Sequence, residues 1–399
     1  MESEPGERRG TYKQSQRAGF VELLFDVVFV FAFTRLSNRM ASDLGWHSAY
    51  ATLVLTLALW SVWYRLVWVT NRYDSTRPAI QALVIGTTFG CLLMAIAVPE
   101  AYGESGLLFA GTYVAIQIIR PVWVMLVSRN KEVQLVNVRV LFWTVISAVP
   151  WVAGVFAQGG ARLAWWSMAI VLDYAASVLD FSTPRLGRAG IRALPVQEEH
   201  LTERYRQLLI IALGETILIS GMEISPFGFE RDRAAALLVS FVITVLFWQI
   251  YFYRAGELLA TAIASAQSPA HVGRLASYAH LTMVAGVGLT AVGDELIIAH
   301  PLGHTERYWV LVIFGGPAVF LVGRGLLDYV TFSRVSWSRP IGLLVLAVLA
   351  PATLWLPPVL VAVVATAVLA GVAAANLISW RLFPQAPNPA SGQRTWDLP

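Results

Sequence analysis

Long apolar segments recur along the whole chain, and they constrain its fold more than any other feature. A membrane-spanning helix needs about 20 mostly apolar residues, and inside a bilayer only helices and closed barrels satisfy their own backbone polar groups. Of the 399 residues, 57% are hydrophobic and 14% are charged, whereas a soluble domain has about 25% charged residues. The sequence therefore predicts an all-α, polytopic transmembrane helix bundle of about twelve spans. The predicted spans are residues 19–40, 49–70, 79–99, 107–128, 138–157, 162–182, 205–222, 234–254, 277–298, 308–328, 339–356 and 358–380.

The basic residues predict how the chain is oriented in the membrane. When successive loops are assigned to alternate faces, most Arg and Lys residues fall on the face that holds the N-terminus. Cytoplasmic loops of membrane proteins carry such an excess, so both termini are predicted to be cytoplasmic. The surplus of 29 basic over 25 acidic residues is accordingly interpreted as a topological signal. The expected partner is the lipid bilayer, with a possible small ion or solute, and nucleic-acid binding is not expected.

The order of charged and aromatic residues recurs once, which predicts a duplication. Arg17 precedes Asp26 by nine residues, and Arg206 precedes Glu215 by nine. Arg120 and Arg324 also fall at matching positions in the fourth and tenth predicted spans. Each half would then contain six spans. Because six is an even number, both halves would start on the same side of the membrane and be parallel repeats related by an axis along the membrane normal. Chance similarity between apolar helices is the alternative interpretation.

The predicted domains follow from this duplication. They are a cytoplasmic N-terminal segment (1–18), a first six-helix repeat (19–182), a cytoplasmic linker (183–204), a second six-helix repeat (205–380) and a disordered cytoplasmic tail (381–399). The last two predicted spans meet at Pro357 and Pro358, which disfavour a continuous helix. A tight hairpin is therefore expected there, with one long broken helix as the alternative.

Two acidic residues at matching positions are candidate functional residues. Asp26 and Glu215 lie inside the first and seventh predicted helices, where a carboxylate is costly unless it is paired, hydrated or protonated. In one interpretation, these acids bind a cation or take up a proton. In the other, each pairs with a buried arginine, Arg120 or Arg324, and only holds helices together. The sequence leaves both interpretations open.

A second group of charged residues is predicted to lie at the cytoplasmic mouth of the bundle. Glu22 precedes Asp26 by four residues, so both carboxylates share one helix face, and Glu22 is expected nearer the membrane surface. Arg204 is an expected neighbour of Glu22, and the run His200–Arg204 is expected to cap the seventh helix. The other mouth residues are Arg17, Arg206, His200 and Glu203.

A third group is predicted to form an acidic rim at the outer face. Its members are Glu100, Asp294 and Glu295. His300 and His304 follow in the sequence, and together with these acids they have the ligand types of a divalent metal site. Pro301 lies between the two histidines and favours a loop, in which their imidazoles would not share a helix face. No metal site is therefore predicted.

The sequence lacks the common catalytic motifs. It contains no GxxxxGK[ST], GxSxG, HExxH or CxxC pattern. The chain is therefore predicted not to be an enzyme, and no cofactor is expected.

Several stretches resemble the bacterial low-temperature-requirement A family. The clearest is the run from Phe20 to Thr34, FVELLFDVVFVFAFT, in which the family usually has a second aromatic residue where Leu24 stands. The others are Asn71–Asp74, His200–Arg204, Ile210–Leu218, Tyr278–Leu281 and Gly286. The resemblance covers nearly the whole chain. It implies a multi-pass protein of the bacterial inner membrane, linked by name to growth in the cold, and it implies no particular reaction.

These features together favour a transporter that moves a cation, a proton or a small solute through a pathway between the two repeats. Asp26 and Glu215 would be its binding acids. A passive ion channel of the same architecture is one alternative, and it would show currents without coupled transport. A non-transporting membrane scaffold or sensor is another, in which Arg120 and Arg324 would neutralise the acids.

Overall fold

A computed structural model describes residues 19–190, 195–224, 230–252 and 255–382. These ranges contain thirteen α-helices and no β-strand, which confirms the all-α prediction. The helices are α1 (Phe20–Ser42), α2 (Trp46–Arg72), α3 (Pro78–Ala97), α4 (Gly106–Val127), α5 (Lys131–Phe156), α6 (Gly159–Val178), α7 (Glu198–Ile224), α8 (Arg231–Phe252), α9 (Ala255–Ala264), α10 (Pro269–Ala299), α11 (Arg307–Phe332), α12 (Ser338–Leu349) and α13 (Pro358–Leu382). Short 3₁₀ turns follow α3 (Val98–Glu100) and α12 (Ala350–Trp355).

Ten of the helices in the described ranges are long and apolar enough to cross a membrane, where the sequence analysis predicts about twelve spans. Two predicted spans, now α1 and α6, are not among these ten. Helix α1 carries Glu22, Asp26, Arg35 and Arg39 within its 23 residues. Its apolar character is therefore interrupted by charges that need partners inside the protein.

Several helix ends differ from the sequence prediction. Helix α7 begins at Glu198, so the second part of the predicted linker, residues 198–204, is helical. Two acids in its first turn, Glu198 and Glu199, favour this start because the N-terminal end of a helix carries partial positive charge. At the other end of the chain, α12 and α13 pack against each other and α13 begins at Pro358. That arrangement is the expected hairpin.

The chain divides into two compact units, which differ from the predicted repeats. The first unit includes the described residues up to Phe29 and those from Ala58 to Gln207. The second includes Val30–Leu57 and the described residues from Leu208 onward. Helices α1, α2 and α7 therefore contribute residues to both units.

In the first unit, α3, α4, α5 and α6 pack in sequence order. Aromatic rings fill much of the space between them. The indole of Trp151 lies 4.6 Å from the ring of Tyr113 and 5.2 Å from that of Trp166, and all three side chains are buried. Arg162 joins the ends of these helices, because its guanidinium donates to backbone carbonyls that include those of Ala101 and Gly154.

In the second unit, α10 and α11 form the most extensive helix pair, and α8, α12 and α13 pack against them. Glycines let the two helix backbones approach closely. A Cβ atom built on Gly286 of α10 would lie 2.5 Å from the backbone nitrogen of Phe320 on α11. A Cβ atom on Gly323 of α11 would lie 2.8 Å from the carbonyl oxygen of Ala279 on α10.

Candidate functional site

The two acids of α1 lie in a buried cluster of charged side chains in the first unit. Glu22 and Asp26 are both fully buried. Asp26 Oδ1 accepts a hydrogen bond from Arg204 Nη2 at 2.7 Å and another from Trp63 Nε1 at 2.8 Å. Because α1, α2 and α7 each supply one of these groups, the contact joins three helices. We call Glu22, Asp26, Trp63, His200 and Arg204 the acid cluster.

Glu22 is held by contacts from several segments. Its Oε2 atom accepts from the backbone N–H of Gly19 at 2.7 Å and from Ser75 Oγ at 3.2 Å. His200 Nε2 lies 3.2 Å from both carboxylate oxygens. Arg204 Nε lies 3.9 Å from Glu22 Oε1, so the guanidinium is close to both acids while donating to Asp26. The expected proximity of Arg204 to Glu22 is confirmed.

The side chain of Asn71 indicates which ring nitrogen of His200 donates to Glu22. Asn71 Nδ2 donates to the carbonyl of Gln197 at 2.8 Å, and Asn71 Oδ1 accepts from the Gln197 N–H at 3.1 Å. These two bonds fix the orientation of the amide, which places Nδ2, a donor, 3.4 Å from His200 Nδ1. His200 Nδ1 is then an acceptor and Nε2 carries the proton that faces Glu22. This geometry fits a neutral imidazole.

Aromatic rings enclose the Asp26 side of the acid cluster. The indole of Trp63 lies 4.8 Å from that of Trp60 and 6.0 Å from the ring of Phe29. The ring of Tyr205 lies 5.9 Å from that of Trp63. All four side chains are buried. The surroundings are therefore apolar, which strengthens electrostatic interactions inside the acid cluster.

In the geometry described above, with a neutral imidazole, two carboxylates face one guanidinium, and the acid cluster then carries a net negative charge. Asp26 Oδ2 and Arg204 Nη1 make no hydrogen bond to any residue in the described ranges. The cluster therefore has the charge and a free carboxylate oxygen with which to take up one proton or one monovalent cation.

The second candidate acid, Glu215, has a different environment. It lies on the part of α7 that belongs to the second unit and is partly exposed. Its Oε1 atom accepts a hydrogen bond from Thr34 Oγ1 at 2.5 Å. Glu215 is thus held by a neutral hydroxyl donor, whereas Asp26 is held by a guanidinium.

The predicted pairing of the acids with Arg120 and Arg324 is wrong for Asp26, whose ion-pair partner is Arg204. Arg324 instead forms an ion pair with Asp328, one turn further along α11, and donates from Nε to the carbonyl of Ile250 at 2.8 Å. A nearer acid on its own helix thus neutralises Arg324. Arg120 makes no hydrogen bond or ion pair to any residue that the structure describes.

The predicted cytoplasmic mouth is only partly as expected. Glu22 is buried and does not line an open entrance, because His200 and Arg204 of α7 cover it. The run His200–Arg204 lies inside α7, so it does not cap the helix. Glu203 and Arg206 are partly exposed on the same helix, and Glu203 accepts from Gln207 Nε2 at 3.3 Å. Arg17 lies outside the described residues.

The predicted outer rim also needs a correction. Glu100 is exposed and Glu295 partly so, but Asp294 is only 1% exposed and lies beside Ser240 of α8. Asp294 is buried because α10 packs against α8 and α11 over this part of its length. Within the described ranges, no group of three or more His, Cys, Asp or Glu side chains is arranged to hold a metal ion.

The turn after α2 brings together the residues of the Asn71–Asp74 stretch. Asp74 is exposed, and its Oδ1 atom accepts from Thr76 Oγ1 at 2.7 Å and from the Thr76 N–H at 2.9 Å. These bonds lower the pKa of Asp74 because they stabilise the ionised carboxylate. Asp74 therefore fixes the turn, while Asn71 orients the start of α7.

One further network was not singled out as a site by the sequence analysis. Asp173 of α6 is buried and accepts hydrogen bonds from Tyr113 Oη at 2.7 Å and Ser147 Oγ at 2.9 Å. Arg65 Nη2 lies 3.3 Å from the same carboxylate. The signal available in the sequence was an Asp and an Arg in the interior of two apolar helices, α6 and α2.

The apolar helices and their buried charges define a multi-pass α-helical membrane protein. The model of the bacterial low temperature requirement A protein (LtrA) family matches residues 17–374, and the chain belongs to this family. The chain is 32% identical, over 330 residues, to an uncharacterized protein of Rhizobium meliloti (strain 1021), in an alignment that covers 82% of this chain and 81% of the relative. No solved structure matches the chain. The family expected from the sequence motifs is confirmed.

Proposed function

We propose that this protein is a transporter that moves a proton or another monovalent cation, alone or together with a small solute. Asp26 and Glu215 are its binding acids, and it has no enzymatic activity. In this proposal the chain has twelve spans in the bacterial inner membrane, with both termini in the cytoplasm. In the same proposal, α1–α6 form the first of two parallel six-helix repeats and α7–α13 form the second, with α8 and the short α9 counted as one segment.

The observation that carries the proposal is the uncompensated negative charge of the acid cluster. A buried charge in excess of its counter-charges costs several kcal/mol, and a bound proton or cation removes that cost. Asp26 Oδ2 is the acceptor that remains available for it. Ionisable groups inside membrane proteins commonly mark proton or ion pathways. The acid cluster is therefore suited to take up and release one positive charge per cycle.

Protonation of Asp26 would give the acid cluster a second arrangement. In the structure, it donates from Nη2 to Asp26 at 2.7 Å, while its Nε is 3.9 Å from Glu22. A proton on Asp26 would weaken the first contact, and the guanidinium would then be attracted mainly to Glu22. Uptake of a proton would in this way shift a charged side chain of α7 relative to α1. Such a coupled movement is what a transport cycle requires.

The test is a proton-flux assay in proteoliposomes that contain a trapped pH-sensitive dye. A potassium gradient with valinomycin supplies the driving potential. Wild-type protein should acidify the lumen faster than empty liposomes do. Asp26→Asn and Glu215→Gln should each lower that rate about tenfold or more, because each removes an intramembrane proton acceptor.

The matched control for this assay is Glu104→Gln, since Glu104 is an exposed acid in the turn before α4. This variant should keep the wild-type rate. Size-exclusion profiles and thermal unfolding show whether each variant is folded. The proposal is contradicted if folded Asp26→Asn and Glu215→Gln proteins both transport at the wild-type rate.

A non-transporting scaffold or sensor is the second candidate function. It is favoured by the direct pairs between buried carboxylates and guanidiniums, which include Asp26 with Arg204 and Asp328 with Arg324 and Arg339. Such pairs also hold helices in one arrangement. This candidate would be supported if liposomes that contain wild-type protein show no greater flux of protons or of K⁺ than empty liposomes do. Unsaturable currents in a planar bilayer would instead indicate a passive channel.

A further inference from the structure

The polar network around Asp173 contains more positive than negative charge. It lies in the first unit and is built from Ser61 and Arg65 on α2, Tyr113, Gln117 and Arg120 on α4, Ser147 on α5 and Asp173 on α6. We call it the arginine network. It contains two guanidiniums, those of Arg65 and Arg120, and a single carboxylate, that of Asp173.

The hydrogen bonds of Asp173 are already taken by groups within the network. Its Oδ1 atom accepts from Arg65 and from Ser147, and its Oδ2 atom accepts from Tyr113 at 2.7 Å. Trp151 Nε1 lies 3.5 Å from Oδ2. Asp173 therefore balances one positive charge, and its oxygens are occupied by these four donors.

Arg120 shares a face of α4 with Tyr113 and Gln117, the two residues whose side chains contact Ser61. Residues 113, 117 and 120 are spaced by four and three along α4, so their side chains project to the same side. Tyr113 and Gln117 both contact Ser61 Oγ, at 3.3 and 3.0 Å. Arg120 is also close enough to Arg65 and Asp173 to interact with their charges. It thus belongs to the same interior region as the Asp173 ion pair.

The guanidinium of Arg120 has no partner among the described residues. Its side chain is 6% exposed, and it makes neither a hydrogen bond nor an ion pair to any residue in the described ranges. Arg65 Nη1 is likewise buried without a hydrogen bond to a described residue. A buried cation that lacks a counter-charge is strongly destabilising. Both arginines therefore have donors available for an anion.

We propose that Arg65 and Arg120 bind a phosphate group, with Asp173 and Tyr113 holding Arg65 in position. A guanidinium presents parallel N–H donors in a plane, which match the oxygens of phosphate far better than they match a spherical halide. One bound monoanion would neutralise the surplus charge of the arginine network. The phosphate comes from the aqueous phase or from the headgroup of an anionic lipid, and these two sources are separated by experiment.

The test measures the melting temperature of the detergent-solubilised protein by intrinsic fluorescence. One series adds inorganic phosphate at constant ionic strength, with chloride as the reference anion. The other adds phosphatidylglycerol to the micelles, with phosphatidylcholine as the reference lipid. Wild-type protein should show a saturable rise of several degrees in one series, because a ligand of the folded state alone stabilises that state.

Arg120→Gln should abolish this rise. Without phosphate, it should melt at or above the wild-type temperature, since it removes a buried charge that has no protein partner. Arg120→Lys keeps the charge but loses the planar donors, so its rise should be smaller than that of the wild type. Arg77→Gln, a change in an exposed arginine, should leave the rise unchanged.

Two outcomes overturn the proposal. One is a wild-type melting temperature that responds neither to inorganic phosphate nor to phosphatidylglycerol. The other is a phosphate- or lipid-dependent rise that folded Arg120→Gln retains in full. Saturable stabilisation by either source that depends on Arg120 supports the proposal, and the responding series identifies that source.

Discussion

Replacing Arg204 by alanine should lower the free energy of unfolding by about 3–5 kcal/mol, the usual cost of removing one partner from a buried ion pair. Arg204 is 1% exposed, and its guanidinium donates to Asp26 at 2.7 Å while its Nε lies 3.9 Å from Glu22. Its removal leaves two carboxylates facing each other in an apolar environment. One of them must then be protonated or hydrated for the chain to fold. The measurement is denaturation in detergent followed by tryptophan fluorescence and circular dichroism.

Paired variants separate this charge effect from the loss of side-chain packing. Asp26→Asn alone should cost less than Arg204→Ala, because the amide oxygen still accepts from Trp63 and one carboxylate remains for Arg204. The double variant Asp26→Asn with Arg204→Ala should lose less stability than the sum of the two single changes, since contacting residues couple. Arg77→Ala, at an exposed site, should stay within about 0.5 kcal/mol of wild type. Equal losses in Arg204→Ala and Arg77→Ala would show that the pair contributes nothing.

The helical architecture follows largely from local properties of the sequence. Runs of apolar residues with the length of a membrane span became helices because each such run satisfies its own backbone hydrogen bonds. The hairpin predicted from Pro357 and Pro358 lies between α12 and α13, and Pro358 occupies the first position of α13. The start of α7 was missed because residues 198–204 are polar. Contacts from another helix hold this start, including the two hydrogen bonds between Asn71 and Gln197.

Of the candidate site, the two acids of α1 were predictable from the sequence, but their partner on α7 was not. A spacing of four placed Glu22 and Asp26 on the same face of α1, and both face the same arginine in the structure. The partner of Asp26 was not predictable, because Arg204 was assigned to a linker and the pairing joins residues 178 positions apart. Nothing in a sequence of apolar helices specifies which two interior charges meet, since that depends on the packing of whole helices.

One ion pair has a local signal in the sequence. Arg324 and Asp328 are four residues apart on α11 and form an ion pair. Opposite charges at this spacing are neighbours on a helix. Because Arg324 and Arg120 occupy matching positions in the predicted repeats, a distant acid was expected as the partner of Arg324. A shared position in a repeat therefore proved weaker evidence for a charge partner than spacing on one helix.

Gly286→Ala should destabilise the protein by about 3 kcal/mol, at the upper end of the cost of overpacking a well-packed interior. The added methyl group would lie 2.5 Å from the backbone nitrogen of Phe320 and 2.9 Å from the carbonyl oxygen of Gly316. Both are main-chain atoms of α11, so no side-chain rotation relieves the clash. Helices α10 and α11 would have to move apart over the largest helix interface of the second unit.

Gly86→Ala is the matched control, because a Cβ atom at Gly86 of α3 would meet nothing within 4 Å. Alanine is favoured over glycine inside a helix by about 0.5–1 kcal/mol, so this variant should be neutral or slightly more stable than wild type. The two substitutions add the same atom in the same secondary structure, and they differ only in what that atom meets. The melting temperature of Gly286→Ala should therefore fall below that of the wild type, while that of Gly86→Ala should equal or slightly exceed it. Equal melting temperatures would mean that α10 and α11 are not in backbone contact at Gly286.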